Sequence, residues 1–387
     1  MKILYICHRF PFPPQRGGKI RPFNVIKHLS KKHDVTVASI ARSVEEAEAG
    51  KGLGDYCTRY LMEIVTVPLF LFNVVRRFFQ ANPLSMEYFY SRKLHQRIHE
   101  EIEHTQFDLI LVHCSSVGQY VEDVTDIPKI LDFGDMDSQK WLLYSEKRCF
   151  PLNKLYLLEG TRLKKAEARL AKKFVYCACT TQEEMKTLED YHLDINTSWF
   201  PNGVDTEYFR PTDTPYESDT ICFIGRMDYY PNQECMLHFC HHILPRIREK
   251  RPNVKLSIIG ANPSKEIRTL AKLPGVIVTG TVKDVRPFVQ RSAVNVAPLN
   301  IARGTQNKIL ESLAMGVPTV ASRAAADGVD AVSGEDFLVG ADDVELADLV
   351  VRLLSSHEER MRFSEKGRAR MLSHHSWERS MQMLDEI

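Results

Sequence analysis

The sequence predicts an α/β protein of two domains, each built on a doubly wound parallel sheet, with the two domains facing a cleft. The chain has 387 residues, more than the roughly 250–300 residues at which a single hydrophobic core stops growing. Short apolar segments alternate with amphipathic segments through both halves, which is the pattern of a parallel sheet covered by helices. A stretch rich in Pro, Gly and Asp, Phe200–Thr214, indicates a linker between the halves.

The first half opens with a βαβ unit. An apolar run predicts a strand at Lys2–Cys7, helical spacing predicts a helix over Asn24–Lys32, and Asp34–Ile40 returns to strand character. The alternation then predicts a helix near Lys93–Glu103, strands at Leu109–His113 and Lys129–Asp132, and a long helix at Lys154–Lys173. We assign residues 1–200 to this first domain.

The second half repeats the same alternation. Its predicted strands are Thr220–Ile224, Lys255–Ile259, Val276–Val278, Val294–Ala297 and Thr319–Ala321. Its predicted helices are Gln233–Lys250, one from about Gln306, Asp343–Ser355, Glu358–His374 and a last one from Trp377. We assign residues 201–372 to the second domain, and we expect the final segment, residues 373–387, to cross back to the first.

Composition excludes several classes of protein. Lys and Arg total 51 and Asp and Glu total 50, so the chain lacks the basic excess of a dedicated nucleic-acid binder. The nine Cys residues are odd in number and form no CxxC pair, which argues against a disulfide framework and a zinc site. The N-terminus enters a strand without the features of a signal peptide. We therefore expect a cytoplasmic protein.

Two segments could bring the protein to the inner face of a membrane. The most apolar run, Val65–Phe79, is interrupted by Pro, Asn and Arg residues, so it can lie on a bilayer but not cross one. The helical segment Thr161–Lys173 carries six Lys or Arg residues and one Glu, a composition that attracts anionic head groups. A solvated helix face is the alternative interpretation of the second segment.

A glycine pair follows the first predicted strand. Gly17 and Gly18 precede a helix within PFPPQRGGKIR, and glycines there let backbone amides approach an anion at the helix N-terminus. The segment has neither the GxGxxG pattern nor the P-loop pattern, which disfavours dinucleotide binding and P-loop hydrolysis. The alternative is an ordinary turn between a strand and a helix.

Charged side chains mark the same edge of the second predicted sheet. Arg226 follows the strand Thr220–Ile224, at the edge where open α/β sheets bind ligands, and its guanidinium suits a diphosphate. Farther on, Lys308 and Glu311 stand three residues apart on one helix face, after the loop Arg303–Asn307. They could serve a phosphate and a ribose diol respectively. A surface Arg and a surface ion pair are the alternatives.

Polar side chains also end two strands of the first half. Asp132, Asp135 and Asp137 follow the strand Lys129–Leu131, where a carboxylate can orient an acceptor. Magnesium binding is a weaker alternative, and Asp137 with Ser138 can instead cap a helix. His8 and His113 each end a strand, a position that is more often structural.

The motifs resemble, in order and across nearly the whole chain, the family 4 retaining glycosyltransferases of the two-Rossmann-domain (GT-B) architecture. The matching segments are the glycine pair, PNGVDTEYFRP at Pro201–Pro211, Gly225–Arg226 and ESLAMGVPTV from Glu311. The resemblance implies two Rossmann-like domains, the first taking the acceptor and the second a nucleoside diphosphate sugar. It also implies retention of the anomeric configuration, and no metal or other cofactor.

The resemblance assigns roles to particular residues. Gly17 and Gly18 would approach the donor diphosphate, and Arg226 would contact its phosphates. Glu311 would hold the ribose hydroxyls, and Val282 would pack near the base. The backbone of the loop would meet the donor sugar and phosphate through Gly304, Thr305, Gln306 and Asn307. Asp132 or Asp135 would orient the acceptor, whose proton would pass to a donor phosphate oxygen.

Two positions depart from the family pattern. Arg303 stands where the family usually has a first Glu, eight positions before Glu311, and Pro231 stands where it usually has a Lys, five positions after Arg226. Our hypothesis is that Lys308 replaces the missing phosphate-binding Lys. The donor sugar is therefore less determined by the sequence than the nucleotide.

A narrower set of segments resembles the exopolysaccharide-associated glycosyltransferases of bacteria with the exosortase and PEP-CTERM sorting system. These segments are GRMDYYPN from Gly225, GTQNKILE from Gly304 and DFGDMDS from Asp132. They imply a glycan or lipid-linked acceptor in exopolysaccharide biosynthesis. The alternatives are a nucleotide-sugar epimerase or hydrolase of the same architecture, and a non-catalytic nucleotide-sugar-binding protein, which Arg303 would favour.

Overall fold

The computed structural model describes residues 1–66 and 82–387. It divides into two compact units, the first comprising Met1–Phe200 with Met383–Ile387 and the second comprising Pro201–Gln382. Each unit is an α/β domain with its own parallel sheet and core. From its third residue onward, the apolar segment Val65–Phe79 lies outside the described residues. Among the described residues, no helix combines the length and apolar character that crossing a bilayer requires.

The first unit, within its described residues, contains a seven-stranded parallel sheet in the order β3-β2-β1-β4-β5-β6-β7. The strands are β1 (Lys2–Cys7), β2 (Asp34–Ala41), β3 (Arg59–Ile64), β4 (Leu109–His113), β5 (Lys129–Gly134), β6 (Tyr176–Cys179) and β7 (Thr197–Trp199). The direction of strand addition reverses between β1 and β4, so the ends of these two strands border the edge at which such sheets bind ligands.

Helices cover both faces of this sheet. They are α1 (Gly17–Leu29), α2 (Val44–Gly50), α3 (Leu84–Tyr88), α4 (Arg92–His104), α5 (Asp137–Lys147), α6 (Leu152–Ala171) and α7 (Gln182–Glu189). Because both sheet faces are covered, β1 is apolar along its length: Ile3, Leu4, Tyr5 and Ile6 are all fully buried.

The second unit contains a six-stranded parallel sheet in the order β10-β9-β8-β11-β12-β13, and all of its residues are described. The strands are β8 (Glu217–Ile224), β9 (Lys255–Ile259), β10 (Val276–Gly280), β11 (Ser292–Ala297), β12 (Thr319–Ser322) and β13 (Leu338–Gly340). This order repeats that of the first six strands. The reversal here lies between β8 and β11, next to Gly225 and Arg226.

The helices of the second unit surround its sheet. They are α8 (Tyr230–His238), α9 (Leu244–Lys250), α10 (Lys265–Thr269), α11 (Arg286–Gln290), α12 (Asn307–Ala314), α13 (Arg323–Ala326), α14 (Asp343–Ser355) and α15 (His357–His374). The last helix, α16 (Trp377–Asp385), begins in the second unit, and its final residues belong to the first. A π-helical turn, Phe239–Ile243, separates α8 from α9, so the single helix predicted over Gln233–Lys250 is interrupted. Pro245 follows that turn and lacks the N–H that a regular helix needs there.

The start of α5 corrects one sequence expectation. Asp137 and Ser138 do not cap this helix with their side chains, because the helix already begins at Asp137. Carboxylates from two other helices accept its first N–H groups instead: Glu184 bonds the amide of Met136 at 2.8 Å, and Glu167 bonds the amide of Ser138 at 3.0 Å. These contacts join residues 29 and 48 positions apart, which local patterns cannot predict.

Candidate functional site

The carboxyl end of β8 leads into a turn that only glycines allow. A Cβ atom on Gly260 would lie 1.7 Å from the carbonyl oxygen of Gly225, and a Cβ on Gly225 would lie 2.6 Å from the amide nitrogen of Asn232. Both distances are far below van der Waals contact, so neither position accepts a side chain in this arrangement. The two glycines thereby set the path of the backbone that carries Arg226.

Lys308 is held at this turn by Asn232. Its Nζ donates to Oδ1 of Asn232 at 2.7 Å, and Nδ2 of Asn232 donates to the carbonyl of Arg226 at 2.9 Å. The ammonium also lies 4.8 Å from the centroid of the Phe223 ring, a cation–π distance. Asn232 is buried. The amide therefore fixes a cation on α12 to the end of β8. The sequence pattern did not indicate this role for Asn232, although the residue stands within GRMDYYPN.

The guanidinium of Arg226 is paired with Asp228. Its Nε donates to Oδ1 of Asp228 at 3.0 Å, a second bond joins Nη2 to Oδ2, and Asn262 donates to the same carboxylate at 3.2 Å. Both partners are more than a third exposed, so the pair gains little from its Coulomb attraction. A phosphate can therefore compete with Asp228 for this guanidinium.

Glu311 has no hydrogen-bond partner for its carboxylate among the described residues, although it is half-buried. Burial raises the pKa of Glu311 to about 7, against the opposing effect of the nearby Lys308 ammonium. Burial also lowers the pKa of Lys308 to about 8, while Cys235 and Glu311 act to raise it. The helix α12 thus carries a cation and a carboxylate whose charges are both weakened by their surroundings.

The loop before α12 is shaped by a second pair of glycines. Gly304 has a φ of +61°, and a Cβ atom on Gly328 would lie 1.9 Å from its carbonyl oxygen. The side chain of Gln306 donates to the carbonyl of Arg303 at 3.1 Å, and Asn202 donates to Oδ1 of Asn307 at 3.5 Å. The loop therefore leads directly into the N-terminal turn of α12, where backbone N–H groups favour anions.

The predicted binding site for the sugar donor also includes Thr305, Arg303 and Val282. The hydroxyl of Thr305 is buried with no hydrogen-bond partner in the described part of the chain, and the side chain of Arg303 is half-buried. Val282 packs against an apolar cluster at the ends of β8 and β9, which includes Ile224 and Ile259. The structure thus places Arg226, Lys308 and the loop at the carboxyl edge of one sheet, with Val282 on the side of β10.

In the first unit, the glycine pair begins α1. A Cβ atom on Gly17 would meet nothing within 4 Å, whereas one on Gly18 would lie 3.2 Å from Nε2 of His8. No side chain caps the helix at Arg16. The surroundings of Gly17 are therefore open, and the first N–H groups of a 13-residue helix are directed there.

The carboxylate of Asp132, which the sequence assigns with Asp135 to orienting an acceptor, is enclosed by protein groups. Its carboxylate is 2% exposed and accepts four hydrogen bonds: two from Arg21 at 2.8 and 3.0 Å, one from Nδ1 of His113 at 2.9 Å and one from the amide of Gly134 at 3.1 Å. Although burial acts to raise it, Arg21 and His113 hold the pKa of Asp132 below its usual range. Its oxygens thus fix the side chains of Arg21 and His113 through hydrogen bonds.

Asp135 and the two histidines lie near the same edge. Asp135 is exposed and accepts a hydrogen bond from the hydroxyl of Thr180 at 2.8 Å. The rings of His8 and His113 are 5.5 Å apart between centroids, and burial, followed by His113 and Arg9, lowers the pKa of His8. Of the two predicted catalytic carboxylates, only Asp135 is open to a ligand.

The described residues include one group of side chains with metal-ligand spacing. The ligand atoms of His95, His99 and Asp123 lie within 4.8 Å of one another. Nε2 of His99 donates to the carbonyl oxygen of Tyr120 at 3.1 Å, so Nδ1 is the ring nitrogen of His99 that keeps a lone pair.

Comparison with solved structures decides the architecture. Sucrose-phosphate synthase from Thermosynechococcus elongatus aligns over 100% of this chain and 98% of its own, with a TM-score of 0.72 and 15% identity. The chain has the GT-B fold. HepE from Anabaena, solved in complex with UDP and glucose, aligns over 100% and 98% with a TM-score of 0.69 and 15% identity. A trehalose-phosphate synthase from Burkholderia xenovorans gives 0.64 at 13% identity, with 100% and 99% covered.

A family comparison concerns the second unit. Residues 218–356 match the family described as Glycosyl transferases group 1, a segment that contains Arg226, Lys308 and Glu311 but less than half of the chain. No curated protein sequence matches the chain. The predicted two-domain α/β architecture is therefore confirmed, and the second unit contains a glycosyl transferases group 1 domain.

Proposed function

We propose that this protein is a glycosyltransferase that moves a sugar from a nucleoside diphosphate donor to a glycan or lipid-linked acceptor. The observation that carries the proposal is the arrangement on α12, where a cation fixed by Asn232 precedes a carboxylate with no hydrogen-bond partner among the described residues. Nucleoside diphosphates combine an anionic group with a vicinal diol, and this pair of side chains matches both. The second unit is thus the donor domain, and residues 1–200 form the acceptor domain.

Lys308 and Arg226 stabilise the departing nucleoside diphosphate. Charge accumulates on the β-phosphate as the glycosidic bond breaks, and fixed cations at that point lower the barrier without reorganising. Lys308 is already held at 2.7 Å by Asn232, and Arg226 exchanges its exposed pair with Asp228 for the phosphate. The N-terminal turn of α12, with the backbone from Gly304 to Asn307, adds N–H donors.

Glu311 binds the ribose. Its carboxylate accepts hydrogen bonds from the two ribose hydroxyls, and this supplies the partners that residues 1–66 and 82–387 do not provide. Val282 packs beside the base, at the side of the apolar cluster that contains Ile224 and Ile259.

Lys308 takes the place of the family's missing phosphate-binding Lys. The position five residues after Arg226 is Pro231, and the next residue, Asn232, accepts the Lys308 ammonium. A cation therefore reaches this turn from α12 rather than from the turn itself. Arg303 then stands beside the donor sugar, where it changes the contacts that the usual Glu would make.

The finer features of the proposal rest on the resemblance of the motifs to family 4. They are retention of the anomeric configuration, catalysis without a metal, and a place in bacterial exopolysaccharide biosynthesis. Asp135 meets the acceptor, since it is the exposed carboxylate at the end of β5, and Gly17 with Gly18 approaches the diphosphate. The complexes of HepE with UDP and glucose and with UDP-glucose support a uridine nucleotide as the first donor to test.

The test follows sugar transfer by NMR. The purified protein is incubated with UDP-, GDP- and ADP-sugars, with and without a panel of glycan and polyprenyl-linked acceptors, and the product anomer is read from its coupling constant. We expect acceptor-dependent release of the nucleoside diphosphate and an α-linked product from an α-linked donor. Turnover without acceptor would instead indicate the epimerase or hydrolase, and no turnover with any donor would indicate the binding protein.

A matched pair of variants ties the activity to the site. Lys308→Met removes the proposed phosphate contact, whereas Lys366→Met removes an exposed lysine of α15. We expect the first to lower kcat/KM by roughly tenfold to a hundredfold, the value of a hydrogen bond to a charged group, and the second to leave it unchanged. Equal activity of both variants would contradict the role of Lys308.

A further inference from the structure

The helices α5 and α6 form a hairpin in the first unit. They pack closely, because a Cβ atom on Gly160 would lie 2.9 Å from the side chain of Leu142, and the ring centroids of Trp141 and Tyr156 are 5.4 Å apart. A short loop, Arg148–Pro151, connects the two helices. Apolar side chains near this loop are exposed to solvent. Neither the fold nor the proposed chemistry requires this exposure.

The end of this hairpin carries a concentration of exposed apolar side chains, which we call the apolar tip. Nine consecutive positions contain five of them, with Phe150 exposed to 80% and each of the leucines to about two-fifths of its surface. The members are Phe150, Leu152, Leu155, Leu157 and Leu158. Single exposed apolar residues are ordinary on soluble proteins, but a contiguous group marks a binding surface.

A row of basic residues continues from the apolar tip along α6, and we call it the basic stripe. Its residues follow Leu155 and Leu158 at intervals of three and four, so they share one face of the helix. They are Arg162, Lys165, Arg169 and Lys172. The exposed face of α6 is therefore apolar at its first end and cationic along the rest.

The acidic residues of α6 do not offset this charge. Glu159 is buried and accepts the amides of Leu84 and Ser85, each at 2.8 Å. Glu167 is also buried and accepts from the amide of Ser138 and the hydroxyl of Tyr191, both at 3.0 Å. Both carboxylates thus face the interior of the first unit. On the outward face, Lys165 and Lys172 are exposed, and Arg169 contacts Glu122.

We propose that the apolar tip and the basic stripe dock on the surface of an anionic lipid bilayer. The tip inserts Phe150 and the neighbouring leucines among the acyl chains near the interface, and the stripe places its ammonium and guanidinium groups at the lipid phosphates. Charge complementarity and the order of the two parts along one helix favour this occupant. The proposal concerns where the protein works, and it stands independently of the sugar-transfer chemistry.

This surface differs from the one that the sequence indicated. The basic segment Thr161–Lys173 contains the stripe, but the apolar partner was expected at Val65–Phe79, most of which lies outside the described residues. The structure instead supplies the apolar part directly before the stripe, on the same helix.

Vesicle flotation tests the proposal with the full-length protein and no nucleotide. Vesicles of phosphatidylcholine are compared with vesicles in which a third of the lipid is phosphatidylglycerol. We expect the protein to float with the second kind only. The paired change Leu155→Ser and Leu158→Ser should lower the bound fraction roughly tenfold, and Lys165→Ala with Lys172→Ala should do the same and remove most of the salt dependence.

Matched variants elsewhere serve as controls. Leu372→Ser replaces a leucine of α15 that is 47% exposed, and Lys366→Ala replaces an exposed lysine of the same helix. Both should float like the wild type. Light scattering measures the oligomeric state. If the wild type is a dimer that does not float, and Leu155→Ser with Leu158→Ser converts it to a monomer, the surface binds a second copy. That result would overturn the proposal.

Cys149 offers a second readout at the apolar tip. It is exposed, whereas Cys57 is half-buried and the other seven cysteines are buried, so an environment-sensitive maleimide labels it preferentially. We expect a blue shift of the dye on vesicles with phosphatidylglycerol and none on phosphatidylcholine alone. An unchanged spectrum under conditions in which the protein floats would show that another surface contacts the lipid and would contradict the proposal.

Discussion

The two units place a carboxylate near the carboxyl edge of their sheets in opposite electrostatic states. In the first, Asp132 accepts four hydrogen bonds, two of them from the Arg21 guanidinium. In the second, Glu311 accepts none from the described residues, and burial raises its pKa to about 7. A buried charge that the protein satisfies holds the fold together, whereas one left unsatisfied is available to a ligand.

The cations beside these two carboxylates, Arg21 and Lys308, differ in the same way. Arg21 also donates to the carbonyl of Phe200 at 2.9 Å and lies 3.5 Å above the ring of that residue. The ammonium of Lys308 is held by the neutral amide of Asn232, which positions the charge without neutralising it. We therefore expect changes in the first network to alter stability and changes in the second to alter ligand binding.

The largest effect should come from breaking the first network. Asp132→Leu leaves the Arg21 guanidinium buried without its counter-charge, which costs about 3–5 kcal/mol of the free energy of unfolding. Urea unfolding followed by fluorescence measures this loss, with Trp141 and Trp199 in the first unit and Trp377 in the second. Asp135→Asn, at an exposed position, should change the free energy by less than about 0.5 kcal/mol.

A double variant sharpens that measurement. Arg21→Met with Asp132→Leu removes both charges and should recover much of the lost stability, because an apolar pair can replace a buried ion pair. If the double variant is as unstable as the sum of the two single ones, the two side chains are not coupled and the network is misassigned.

Glu311→Gln should leave stability unchanged and weaken nucleotide binding, the reverse of what we expect for Asp132→Leu. It removes a charge that no described group pairs, so the free energy of unfolding should stay constant or rise. Binding should suffer instead: the wild type should prefer a ribonucleoside diphosphate over its 2′,3′-dideoxy analogue by roughly tenfold or more. The variant should lose most of this preference. An equal preference in both proteins would remove Glu311 from the ribose site.

A smaller effect is expected from pH. Glu311 with a pKa of about 7 loses its charge as the pH falls from 7.5 to 6, so wild-type nucleotide affinity should fall roughly fivefold more than that of Glu311→Gln. Lys308 with a pKa of about 8 loses its charge as the pH rises, so affinity should also fall above pH 8. Titration calorimetry at four pH values measures nucleotide affinity on both sides of the expected maximum. If the affinities of wild type and Glu311→Gln fall in parallel below pH 7.5, the predicted effect of Glu311 is contradicted.

Most of the fold could be predicted because its signals are local. The apolar run at Lys2–Cys7 and the helical spacing over Asp343–Ser355 agree with the observed elements to the residue. Four strands were missed: Arg59–Ile64, Tyr176–Cys179, Thr197–Trp199 and Leu338–Gly340. The last two have only three residues each at a sheet edge, which carry too little periodicity to stand out. The helix Asp137–Lys147 was missed too, since its N-terminal bonds come from distant carboxylates.

In the candidate site, too, features with local sequence signals could be predicted and features that depend on distant residues could not. Lys308 and Glu311 could be predicted to share a helix face because their spacing is visible in the sequence. The enclosure of Asp132 was not, because its partner Arg21 lies 111 residues away and the pairing exists only in the folded sheet. The position of Arg21 directly before the apolar residues Pro22 and Phe23 of α1 is a signal that could have suggested a counter-charge.

Titration calorimetry with nucleoside diphosphates tests the central claim most directly. The account predicts that wild-type protein binds at least one of UDP, GDP and ADP. It also predicts that Lys308→Met weakens this binding roughly tenfold or more, while Asp135→Asn and Lys366→Met leave it unchanged. Binding that is equally strong in Lys308→Met, or absent for every nucleotide in the wild type, would contradict a nucleotide-sugar site at this edge of the second sheet.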